Sequence, residues 1–429
     1  MFEPVSSRVS FPEIDASVLQ LWKDKDVFAR ASEERMESPS FMLYEGPPTA
    51  NGSPGIHHVL ARVFKDVICR YRTMKGYKVL RKGGWDTHGL PVELEVEKEL
   101  GLNSKQEIEE YGIEKFNQRC KESVFRYVQE WEVMTDRIGF WVDMATPYVT
   151  LENEYIESGW WILKQLWDRD LLYQGVRGTP HCPRCETSLS SHEVALGYKE
   201  NTPDPSVFIK FELVSEDTSD DVSTYLLAWT TTPWTLAGNT ALAISETEEY
   251  SVIQVDGSNG QERLILASKL VSSAIKEDYQ FISTIKGSDL VGSKYVPLYD
   301  PFKFNLDELH MGRFDGGQLL RGLSEETASG SWQVYAGDFV SMEDGTGVVH
   351  IAPAFGDEDL NLGKERGLAF VQHVNLQGNI VGSYSYAGKF VKDADGQIID
   401  ELQERGLLYH KETYRHTYPF CWRCDTPVL

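Results

Sequence analysis

Two Cys-x-x-Cys pairs, Cys182-Pro-Arg-Cys185 and Cys421-Trp-Arg-Cys424, stand 235 residues apart. Each pair can offer two thiolates from one knuckle, and two knuckles complete a tetrahedral zinc site with four cysteine ligands. Unrelated cysteines or a redox pair are the alternatives. Basic residues inside both knuckles help ionise the thiols and favour the metal. With four ligands and no obvious fifth, the Zn2+ reads as structural. Cys69 and Cys120 fall in helical stretches and read as core. A second constellation is hydroxylic: Thr230, Thr231 and Thr232 are adjacent, with Trp234 and Thr235 beside them. Such hydroxyls can position a water or bond a sugar; alone, they equally describe a threonine-rich β-edge. His350 follows a β-like run, but the sequence shows no partner that would make it a general base.

These residues need elements to hold them. The spacing predicts a helix over 15–35 capped by Asp15, a buried strand over 40–45, and a turn-rich loop, GPPTANGSPG, before a helix that begins near His57. Strand, Gly/Pro loop and helix form the opening of a nucleotide-binding α/β unit, and the helix N-terminus offers unpaired N–H groups to phosphate. Residues 104–135 open on a capping box, Ser104 to Glu107, and continue as an amphipathic helix. Residues 153–172 read as helix too. From about 200 to 395 short β-like runs alternate with Gly, Asp and Ser, which predicts a β-rich second domain. A zinc ion joining the two knuckles would pin both ends of that domain as an insertion on a two-legged stem.

The composition, 41% apolar and 12% aromatic over 429 residues, suits two or three globular α/β domains and excludes a disordered chain. No apolar run is long enough to span a membrane, and the first 15 residues lack the apolar stretch of a secretory signal. Six cysteines, four of them in knuckles, suit a reducing cytoplasm. The net charge of −24 argues against general nucleic-acid binding. However, eight basic residues lie between Arg62 and Lys82 against Asp66 alone. That stretch is either a solvated face or the seat of an anionic partner. The acidic run from Ser215 to Asp221 reads as surface loop.

Four segments together resemble isoleucyl-tRNA synthetase, in its eukaryote-like bacterial type: YEGPPTANGSPGIHHVL (Tyr44–Leu60), GGWDTHGLPVELEVEK (Gly83–Lys98), WTTTPWTLAGN (Trp229–Asn239) and EDGTGVVHIAPAFGDED (Glu343–Asp359). The resemblance spans nearly the whole chain. It implies a Rossmann-like catalytic domain, first half only, over 1–181. A first zinc knuckle and stem would follow over 182–199, an inserted β-rich editing domain over 200–395, and a return stem with the second knuckle over 396–429. It implies isoleucine, ATP with Mg2+ and tRNA(Ile) as substrates and partners, and a monomer.

By that resemblance, His-x-Gly-His opens the helix and its histidines donate to ATP phosphates as charge develops there. Here the four positions read Gly55-Ile56-His57-His58. His58 matches the second histidine, Gly55 replaces the first, and His57 stands where glycine lets adenosine approach. His57 would then supply the missing donor from a shifted position, and mimics of isoleucyl-adenylate should bind poorly. Asp86 would bind the α-ammonium of isoleucine, although alone it is equally a turn or capping residue. Pro47 would line the same pocket, and His88 would serve only as a local hydrogen-bonding residue.

One methylene in an apolar pocket is worth only about 1–3 kcal/mol, a limit for which isoleucine against valine is the standing illustration. The inserted domain would therefore hydrolyse valyl-tRNA(Ile). Asp359 would grip the valyl α-ammonium, Thr230, Thr231 and Thr232 would position water, and Trp234, Thr235 and Asn239 would bind substrate. His350 would contact the substrate or the ribose edge. The family's Lys-Met-Ser-Lys-Ser signature is absent, so this chain alone should not aminoacylate. A stand-alone deacylase and a non-catalytic tRNA-binding fragment remain open beside the ligase.

Overall fold

The computed structural model describes residues 8–429 except Pro47, Ala50, Asn51, 216–221 and 258–259. The expectation for Pro47, and nearly all of the acidic run after Ser215, therefore lie outside the described residues. The chain divides into two compact units, Met1–Tyr173 and Gln174–Leu429.

The first unit is built on a three-stranded parallel sheet of Ser40–Tyr44, Lys78–Trp85 and Asp143–Val149. Parallel neighbours need a crossover, and the helix Ile56–Met74 supplies the first one. Of the basic residues around it, three face inward. Arg62 reaches Thr135 at 2.7 Å, and Arg70 and Arg81 share Asp66. The Arg70 guanidinium also stacks 4.0 Å from the Trp141 ring. For these three the solvated-face reading fails, because each faces a carboxylate, with Glu45 3.8 Å from Arg62, and lies against an aromatic ring.

The helical expectations need correction at their ends. The stretch 15–35 is two helices, Phe11–Asp24 and Val27–Glu33, and Ser10 rather than Asp15 precedes the first. Asp26 between them takes a left-handed φ of 47°, which ends regular helix. The Ser104 cap forms as expected, its side chain accepting from Glu107 N–H. The helix beyond it breaks into Lys105–Tyr111, Ile113–Val124 and Val128–Arg137, with Gly112 at φ 107° making the first break. The helix Asn153–Trp167 is shorter than 153–172. It buries no residue and leaves Trp160, Trp161 and Trp167 exposed.

In the second unit a six-stranded sheet runs in the order Gln280–Lys286, Glu249–Gly257, Gly260–Ala267, Thr224–Thr230, Tyr198–Glu212, Leu408–Pro419. Tyr198–Glu212 leads into the domain and Leu408–Pro419 leads out. The two pair antiparallel from Tyr198↔Pro419 to Ile209↔Leu408, so the legs of the stem form one ribbon. A small sheet of Val334–Ala336, Ala241–Ile244 and Val348–Ile351 packs into the same core. Within the second unit Lys364 Nζ donates to Val176 O at 2.8 Å, and the helix Val391–Glu404 precedes the returning strand. Among the described residues, no helix is long and apolar enough to cross a membrane.

Candidate functional sites

The first unit holds a cavity of about 330 Å³ lined by Glu45, Thr49, Ser53, His58, Arg62 and Trp131, among others. Gly55 is the extended residue before the helix, and its N–H donates to His58 Nδ1 at 2.9 Å. That bond satisfies an end group that regular helix leaves open. Burial, followed by the charges of His57 and Arg62, lowers the His58 pKa. The His57 ring lies 3.8 Å from the His58 ring. A Cβ built on Gly55 would meet His57 Cε1 at 2.7 Å. The His57 imidazole thus occupies the space beside residue 55 that a side chain at 55 would take. Trp131 anchors the loop by donating from Nε1 to Gly52 O at 2.8 Å, and its ring packs 4.6 Å from His58. Asp86 is half-buried and bridged to Thr49, with its N–H donating to Pro48 O. His88 pairs with Thr150 at 3.0 Å, as a local hydrogen-bonding residue does. Glu45 is buried, pairs with Lys65 at 2.8 Å, and keeps Oε2 without a partner among the described residues.

In the second unit the threonines join in a chain. Thr230 Oγ1 lies 3.1 Å from Thr232 Oγ1, Thr232 Oγ1 3.1 Å from Thr235 Oγ1, and Thr235 Oγ1 3.0 Å from His350 Nε2. The strand Thr224–Thr230 delivers the first hydroxyl, and the 3₁₀ turn Pro233–Gly238 folds Thr235 back onto the chain. Thr231 is half-buried and stands outside it. Burial lowers the His350 pKa to about 4, so the ring is neutral at pH 7 and unsuited to hold a proton. Asn239 is buried. Its amide donates to Ala241 O and accepts from Tyr295 OH at 2.7 Å.

Asp359 sits in the first turn of the helix Asp357–Arg366, with Oδ2 accepting from Ala352 N–H at 2.9 Å. Burial pushes its pKa up to about 6. It lines a cavity of about 430 Å³ together with Trp229, Gly345, Thr346, Glu358 and Tyr414. Gly345 has φ +76°, and a Cβ there would come within 2.9 Å of the Trp229 ring, so glycine is what lets that wall close. Trp234 does not share this cavity. It lines a second one, of about 530 Å³, with Phe355 and Tyr418.

The four cysteine sulfurs converge. All lie within 4.8 Å of one another, with Cys182 Sγ 3.4 Å and Cys185 Sγ 3.6 Å from Cys424 Sγ. Sulfurs about 2.3 Å from a common tetrahedral centre stand roughly 3.8 Å apart, so the donor set fits a metal ion. Each knuckle is built alike. Glu186 and Asp425, each directly after the second cysteine of its pair, take left-handed φ values of 49° and 62°. Cys185 N–H points at Cys182 Sγ. Cys69, in contrast, is buried in the first unit and Cys120 is half-buried, as core residues are.

The family model for tRNA synthetases class I (I, L, M and V) matches residues 17–343. The chain belongs to that family. It is 53% identical over its full length to an isoleucine–tRNA ligase of Dehalococcoides mccartyi (strain CBDB1), covering 42% of that relative. It is 48% identical over its full length to an isoleucine–tRNA ligase of Clostridium acetobutylicum, covering 38% of it. A third, from Bacillus thuringiensis (strain Al Hakam), is 48% identical over 97% of this chain and 37% of the relative. The chain thus spans about two fifths of the length of these relatives. The crystal structure of GlLeuRS-CP1 overlaps 48% of this chain and 98% of its own at a TM-score of 0.35 and 16% identity, too loosely to carry an argument.

Sequence reasoning missed several residues that this class I synthetase chain places at its cavities. Glu45, Arg62 and Trp131 in the first unit come from three separate segments, and Thr346 and Tyr414 in the second from two. Local spacing carries no signal for such meetings.

Proposed function

We propose that this chain is the N-terminal part of an isoleucine–tRNA ligase, and that its second unit hydrolyses valyl-tRNA(Ile). In the first unit His58, and His57 from its shifted place beside Gly55, would donate to ATP phosphates. Bound Mg2+ would supply charge neutralisation on those phosphates. Asp86 would pair with the isoleucine ammonium. The four cysteines would hold Zn2+, whose preference for four thiolates matches the donor set, and the ion would clamp the base of the ribbon.

The observation that carries the editing reading is Asp359. A carboxylate is held at a cavity wall by a backbone N–H, where a cation in the cavity would meet it. The valyl α-ammonium is such a cation. His350, neutral and bonded to Thr235, would fix the hydroxyl chain rather than accept a proton, leaving those hydroxyls to orient water against the ester. Calorimetry with an amide-linked valyl-adenosine tests this. Wild type should bind it, and Asp359→Ala should bind it about 10- to 100-fold more weakly, as expected for the loss of a charge-assisted bond. Equal affinity in the two proteins would remove Asp359 from the site.

A further inference from the structure

The backbone of Trp234 is gripped from two sides by buried ionisable groups that lie outside the four motif segments. Its N–H donates to Asp395 Oδ1 at 3.0 Å, and its carbonyl lies 2.8 Å from His373 Nε2. A carbonyl can only accept, so His373 must carry its proton on Nε2. Nδ1 is then bare, which agrees with its lack of a partner among the described residues. His373 is fully buried and Asp395 nearly so. Trp234 is the second residue of the 3₁₀ turn Pro233–Gly238. Its N–H would otherwise be one of the turn's open end groups, since Pro233 has none. The next residue, Thr235, joins Thr232 to His350. A shift of the turn would therefore break the hydroxyl chain at its middle.

We infer that Asp395 and His373 are positioning residues for the hydrolytic site, acting through the backbone of Trp234. The inference rests on the editing reading above. Asp395 projects from the helix Val391–Glu404. The charged and titratable groups facing it are Lys392 and Asp393 on that helix, Asp204 on the strand Tyr198–Glu212, and Tyr418 on the strand Leu408–Pro419. Asp204 is itself held by Lys392 at 2.7 Å and by His416 at 2.9 Å. Burial above all pushes the Asp395 carboxyl up to about 7.

The test is single-turnover deacylation of valyl-tRNA(Ile) by the whole chain as wild type, Asp395→Ala and Asp395→Asn. Each is followed from pH 5.5 to 8.5 beside its melting curve. A displacement of about 1 Å in a positioning group costs on the order of 100-fold. Asp395→Ala should therefore lose about 10- to 100-fold in maximal rate, with the half-saturating concentration changed less than about threefold. The amide oxygen of Asp395→Asn still accepts from Trp234. That variant should recover most of the rate. If Asp395→Ala does not fold, His373→Ala, which leaves the Trp234 carbonyl unheld, takes its place with the same expected loss. A wild-type rate in the alanine variant, or an Asp395→Asn rate no higher than that of Asp395→Ala, overturns the inference while the editing reading stands. A wild-type chain that clears no valyl ester overturns the editing reading and the inference with it.

Discussion

Asp359 is held at its cavity wall at a cost to folding, and the cost can be measured. Its carboxyl is raised from an ordinary value of 3.8 to about 6, chiefly by burial. The sign follows from proton binding. Between those two values the folded chain holds a proton that the unfolded chain has released, so stability falls as pH rises through the window. The shift corresponds to about 3 kcal/mol at pH 8, about half of that at pH 5, and nothing below both values. Asp359→Asn keeps an oxygen for the Ala352 N–H and removes the ionisation. Urea midpoints of both proteins at pH 5 and pH 8 should show the variant more stable at pH 8, with a smaller gain at pH 5. Subtracting variant from wild type cancels the other groups that titrate in this range, Asp395 among them. A gain that is the same at both pH values would refute the reasoning, because only an ionisation can make it depend on pH.

Two further outcomes follow from the metal centre and the first unit. Treating the chain with a thiol-directed mercurial should release one zinc per molecule and lower the melting temperature of the second unit. Release of no metal, with an unchanged melting curve, would leave the sulfur cluster without its ion. In the first unit, exchanging Gly55→His with His57→Gly should clear the imidazole from the approach to residue 55. The exchanged protein should bind a non-hydrolysable mimic of isoleucyl-adenylate at least about tenfold more tightly, the worth of one or two hydrogen bonds. Unchanged binding would mean that the order of these residues does not govern that approach.

The sequence was most legible where chemistry and local structure coincide. The Gly/Pro loop before the Ile56–Met74 helix, the Ser104 cap and the two cysteine knuckles each rest on residues within a few positions of one another. The juxtaposition of Cys182 with Cys424 was also readable, because zinc needs four ligands and each pair supplies two. Helix ends were less legible. Period alone does not show that Asp26 or Gly112 takes a positive φ that ends a helix, since Asp is compatible with helix until its neighbours are packed. Least legible were the groups that hold the Trp234 backbone. Asp395 reaches Trp234 across 161 positions and His373 across 139, through contacts that only the tertiary fold creates. The bonds of the Asn239 amide to Ala241 and Tyr295 were equally out of reach of the sequence.

The most direct measurement of the central claim is deacylation by the purified chain of tRNA(Ile) charged with valine and, separately, with isoleucine. The valyl ester should be cleared well above the rate without enzyme, the isoleucyl ester should not, and Asp359→Ala should abolish the difference. Clearance of both esters alike, or of neither at enzyme concentrations that saturate the tRNA, would contradict the claim.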